Sequence, residues 1–166
     1  DYLFGSTENE GYGFNEGKTY DPLEYKAKAE KYFEDQASEF LQSIGYRQDG
    51  KQMPSDLFGD NMLSSGIAWN ELELKRGGST AYQYYFTKTL PGEPSGAFHS
   101  AEHAYIFQTQ NRFSLPYQGS DYELSNKMCD YWCNFIKTGN PNGPNLPEWK
   151  KYGNGPEKIM EFGEHV

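Results

Sequence analysis

Apolar residues open the chain in "DYLFG", a short run closed by Gly5 and followed by the polar stretch "STENEGYG". That pattern predicts a buried strand with functional potential in the loop after it. Residues 21 to 45 change period. Asp21 can cap a helix, Pro22 suits its first position and Glu24 completes a capping box. Leu23, Ala27, Phe33, Ala37, Phe40, Leu41 and Ile44 then trace an apolar stripe at helical spacing that Gly45 ends. From Pro54 to Arg76 the pattern is patchier. It predicts short helical turns over "SDLFGDNMLSSG" and a further helix over "IAWNELELKR", stopped by Gly77 and Gly78.

The segment "TAYQYYFTKTL" reads as a strand, rich in Thr, Tyr and Phe and closed by Pro91-Gly92. Tyr82, Tyr84 and Phe86 share one face; Tyr85 and Thr87 take the other. Aromatic residues on both faces suit a central strand or a sheet edge. A loop bearing His99 leads into "AEHAYIFQT", a short helix. Ser125 is placed to cap "NKMCDYWCNFIKTG", with Leu124, Met128, Trp132 and Phe135 on one face. Asn140-Pro141-Asn142-Gly143 is a turn, and the tail carries short apolar pieces that lie on the body. Strands separated by helices predict an α/β fold, yet two strands alone do not make a stable sheet layer. The sheet is expected to be incomplete. A chain without Met at its start that enters a strand almost at once reads as a processed product or a fragment.

Composition narrows the functional classes. A net charge of -9 provides no basic footprint for nucleic acid and disfavours anionic lipid. No stretch approaches the roughly 18 apolar residues of a membrane span. Fourteen tyrosines and 11 phenylalanines supply ample bulk for a core. Cys129 and Cys133, four apart on a helix, are expected to be unlinked thiols. A P-loop and a dinucleotide fingerprint are both absent, so no cofactor is expected.

Among the three histidines, His165 lies one residue from the end and reads as incidental. His99 sits on a loop after a strand, where a scaffold presents a base; His103 lies in the following turn, facing solvent or the strand. An imidazole can take a proton from a hydroxyl and return it to a leaving group, provided a carboxylate orients its other nitrogen. Glu10, in the loop past the first strand and next to Gly11, is the candidate partner; Glu8, two residues earlier, is expected to point elsewhere. The bland alternative for His99 and Glu10 is a loop residue satisfied by backbone or water. His99 and His103 have the spacing of paired metal ligands, but Glu102 does not stand in the H-E-x-x-H position, so no metal is expected. No serine fits a nucleophile elbow. The nearest, "GGSTA" at 77 to 81, has Ala81 in place of the last glycine and opens a strand rather than following one.

In order along the chain, "GSTENEGYGF", "GAFHSAEHAYIF" and "LSNKMCDYWCNFIKTGNPNGPNLPEWKKY" resemble the type-B carboxylesterases, the cholinesterase-like branch of the α/β-hydrolases. The similarity spans almost the whole chain and is weakest between Gly45 and Arg76. It implies that Glu10 is the acid of a catalytic triad and His99 its histidine. It also implies that Glu102 is a buried carboxylate supporting the site, and that the Trp132 to Gly143 region is structural. Residues 1 to 166 then form the C-terminal part of a single α/β-hydrolase domain, with its last two major parallel strands. The nucleophile and oxyanion loop belong to a missing N-terminal portion that acts as partner. The implied reaction is hydrolysis of small hydrophobic or aromatic esters through an acyl-serine, with this chain inactive alone. By the same resemblance, localisation leans to secreted or periplasmic. His103 departs from the family, which often has an aliphatic residue there. The main alternative is a non-catalytic, cholinesterase-like interaction protein that has lost the serine. A stand-alone binding module is the third reading.

Overall fold

The computed structural model describes residues 1–12, 21–43, 46, 48, 57–153 and 159–164, with 57–60 as backbone. Its centre is β2, Tyr82–Phe86, flanked by β1, Leu3–Thr7, and β3, Met160–Phe162, in the order β1-β2-β3. Both pairings are parallel: Leu3 lies opposite Tyr82 and Thr7 opposite Phe86, while Tyr84 pairs with Met160. The third strand comes from the tail, where three residues carried too little alternation to be read as a strand.

Parallel strands bury both faces, and β2 does so. Tyr82, Gln83, Tyr84 and Phe86 are all buried. One face carries Tyr82, Tyr84 and Phe86. It packs on α5, Gly119–Thr138, through Trp132 and Phe135, and on α4, His103–Ile106, through Tyr105. The opposite face belongs to α3, Leu57–Arg76. Here Trp69 meets Tyr2 and Phe4 edge-on, and Asn70 donates to Gln83 Oε1 while accepting from the Ala81 amide. That buried amide pair is satisfied, as polar groups in a core must be.

Expected pieces joined, broke or shifted for identifiable reasons. The two helical stretches foreseen between Pro54 and Arg76 are one helix from Leu57 onward. Gly66 does not interrupt it; a Cβ there would meet Gln83 Nε2 at 2.7 Å and Phe4 Cε2 at 2.8 Å, so glycine lets the helix approach the sheet. The first long helix instead divides into α1, Pro22–Phe33, and α2, Ala37–Ser43, around a 3-10 turn at Glu34–Gln36. Asp21 caps α1 as expected, accepting from the Leu23 and Glu24 amides. Glu34 at φ 46° resets the helical phase, so the apolar stripe is not continuous. Ala37 and Leu41 are buried, but Leu23 is 78% exposed and Phe33 stacks on Phe40 at 4.0 Å. Ile44 and Gly45 lie outside the described residues.

Ser125 is not a cap. α5 starts six residues earlier, with the Gln118 amide donating to Asp121 Oδ2. The Ser125 hydroxyl, buried inside the helix, donates to the Tyr105 carbonyl and ties α5 to α4. Trp149 closes the core, its indole N–H donating to the Gln83 carbonyl. Among the described residues, no helix is long and apolar enough to cross a membrane.

Candidate active site

The carboxyl ends of β1 and β2 hold the candidate residues. Beyond Thr7 the chain turns, and the Thr7 amide donates to Glu10 Oε1 at 2.9 Å. That bond fixes the buried carboxylate, which is only 5% exposed. Past β2, the segment from Gly96 to His99 runs beside this turn, with Asn9 and Phe98 forming a parallel bridge. Asn9 grips the second loop at two points. Its amide donates to the Ala97 carbonyl at 2.9 Å, and its Oδ1 accepts from the Ala97 amide at 3.0 Å. Gly96 makes the grip possible. It sits at φ +65°, and a Cβ there would lie 2.1 Å from Asn9 Oδ1.

The clamp sets Glu10 Oε2 2.5 Å from His99 Nδ1. An ionised carboxylate at Nδ1 holds the proton on that nitrogen and makes Nε2 the basic one. The imidazole is 55% exposed while its carboxylate is buried, so the pair presents a base outward and anchors it from within. Such a pair can accept a proton from a nucleophile and return it to a leaving group. A cleft of about 280 Å³ adjoins the ring, lined by Tyr12, Glu93, Ser95, Phe98 and His99.

Glu102 lies three residues past His99 and is 7% exposed. Its Oε1 accepts from the Tyr84 hydroxyl at 3.3 Å, and its Oε2 has no hydrogen-bond partner among the described residues. Burial first, then the like charge of Glu10, pushes its pKa upward, against the pull of the nearby His103 and the Tyr84 hydrogen bond. Burial and the neighbouring Glu102 also raise the Tyr84 phenol. His103 opens α4; its ring is exposed, meets Phe107 edge-on and lies 3.9 Å from Glu102 Oε1.

Glu10, His99 and Glu102 thus gather at one rim of the sheet. Ser79 does not join them. It precedes β2, whose five residues at about 3.3 Å each separate it from the His99 end. Among the described residues, no group of three or more His, Cys, Asp or Glu side chains is placed to hold a metal. His165 lies outside the described residues. Asn9 and Tyr84 look in the sequence like an ordinary loop amide and an ordinary core aromatic until their partners are known.

The architecture is that of solved esterases with the α/β-hydrolase fold. One solved structure, "PNB esterase", superposes with a TM-score of 0.72 at 19% identity, covering 98% of this chain and 34% of that one. A thermophilic PNB esterase gives 0.74 at 19% identity with the same coverage. Among curated proteins, carboxylesterase 4A of Bos taurus is 38% identical over 91 residues, 51% of this chain and 16% of that protein. Acetylcholinesterase 1 of Caenorhabditis elegans is 44% identical over 95 residues, 52% of this chain and 15% of that protein. The chain therefore spans about a third of the solved esterases, and its matches cover about a sixth of these curated relatives. The model of the carboxylesterase family matches residues 1–166, and the chain belongs to that family.

Proposed function

We propose that residues 1–166 are the C-terminal part of a serine carboxylesterase domain, supplying the acid and the histidine of its triad. The observation that carries this reading is the hydrogen bond between His99 Nδ1 and buried Glu10 Oε2. The serine and the oxyanion donors come from polypeptide outside these residues, packed against them as the missing portion of the same protein. Coverage of only a third of the solved esterases supports that division.

In the assembled protein the serine hydroxyl attacks the ester carbonyl while His99 takes its proton at Nε2. Glu10 holds the tautomer and stabilises the imidazolium that forms. The imidazolium then protonates the departing alcohol, and water reverses the sequence to free the acid. Small hydrophobic or aromatic esters are the substrates, in keeping with Tyr12 and Phe98 on the cleft beside His99. Glu102 supports the site from behind.

The test compares the 166-residue chain with the whole protein on p-nitrophenyl esters, alongside fluorophosphonate labelling. The whole protein should turn over ester and label on a serine outside this chain, and His99→Ala should lower kcat about 10⁶-fold. Hydrolysis by the 166-residue chain alone would overturn the division of labour. An unlabelled, inactive whole protein would mark a non-catalytic relative.

A further inference from the structure

Two thiols on α5 stand apart from the site around His99. Cys129 and Cys133 are one helical turn apart, both are free, and their sulfurs lie 4.0 Å from each other. Cys133 is exposed and Cys129 half-buried, whereas Leu124, Met128 and Tyr131 on the same helix are buried in the core. The backbone that carries the sulfurs is therefore held firmly from the other side.

Spacing decides what the pair can do. A disulfide needs its Cβ atoms about 3.5–4.5 Å apart. Helix positions four apart start with Cβ atoms about 5–6 Å apart. Closing the bond would bend α5 against its own core packing. A bridging cation asks for no such closure. Taking the zinc–thiolate length of about 2.3 Å as the scale, two sulfurs bound to one ion stand about 3.8 Å apart at a tetrahedral angle and about 4.6 Å apart when collinear. The observed 4.0 Å falls between these limits. Zinc wants four ligands, and among the described residues no third His, Cys, Asp or Glu joins the pair. A soft monovalent cation is content with thiolates.

We propose that Cys129 and Cys133 form a two-thiolate site for one soft, low-coordinate cation of the Cu(I) class. On binding, each sulfur releases its proton to solvent as an S–Cu bond forms, and copper remains Cu(I) throughout. The site shares no residue with the ester-cleaving reading and stands without it.

The test titrates the reduced full chain, under anaerobic conditions, with Cu(I) held by a coloured competing chelator such as bicinchoninate. The chain should withdraw one equivalent. Cys129→Ser and Cys133→Ser should each weaken uptake about a hundred-fold, the advantage that chelation by a preset pair provides. A respaced variant, Cys133→Ser with Ile136→Cys, keeps two thiols on the same exposed face, because Ile136 is 79% exposed, but moves them two turns apart. It should match the single variants. Uptake as tight in the respaced variant as in the parent chain, or no uptake by the parent chain, overturns the proposal.

Discussion

Replacing Glu10 with glutamine keeps an acceptor for the Thr7 amide and a polar neighbour for His99, but removes the charge that the imidazolium faces. In the proposed whole esterase, E10Q should lower kcat about 10⁴-fold with KM little changed, read by steady-state kinetics. Glu102 invites a different measurement. Its folded pKa is raised by burial, so between its unfolded and folded values the native state holds a proton that the unfolded chain has lost. Stability contributed by that proton is present at low pH and fades as pH rises through the folded value. Glu102→Gln retains the bond from Tyr84 and abolishes the titration. Thermal melts across the acid-to-neutral range should therefore lose less Tm in E102Q than in the parent; parallel curves would refute this. The candidate pair was legible because His99 and Glu10 each sit inside a short contiguous motif. Asn9 and Tyr84 were not, since their roles are defined by partners 88 and 18 residues away in sequence.

At the scale of elements, what local pattern could not convey was decided by tertiary contact. Ser125 carries the chemistry of a cap and spends its hydroxyl on the Tyr105 carbonyl instead, because α5 begins upstream at Gly119. Ser125→Ala should thus cost about 1 kcal/mol in denaturant unfolding, the value of one buried hydrogen bond. Its far-UV circular dichroism should stay unchanged, whereas loss of a true cap would fray the helix. Gly66 looks like a helix breaker and is a contact point with Phe4 and Gln83. Gly66→Ala should destabilise by about 1–3 kcal/mol through overpacking, despite alanine's better helix propensity. β2 was readable from its aromatic run. β3, only three residues long, takes its identity from pairing with β2 and has no periodicity of its own to betray it.

At the scale of the whole molecule, the β1 edge of the sheet is open among the described residues. Among the described residues β1 has a neighbour only on its β2 side, and Leu23, Tyr32 and Tyr2 are exposed on the same third of the chain. An open strand edge and exposed apolar side chains each favour association. The 166-residue chain alone should bind a hydrophobic dye and elute above its monomer mass in size-exclusion chromatography, both effects falling when the proposed N-terminal portion is supplied. The two-point grip of Asn9 on Ala97 has a bearing on how the proposed whole esterase would lose activity. Glu10 and His99 are spaced by backbone belonging to adjacent strands, so sliding β1 by one residue would carry the carboxylate about 3.3 Å along the sheet, out of reach of the ring. Gentle heating of the proposed whole esterase should therefore silence turnover while the circular dichroism of the helices is still intact, activity falling quiet by loss of alignment well before the melt.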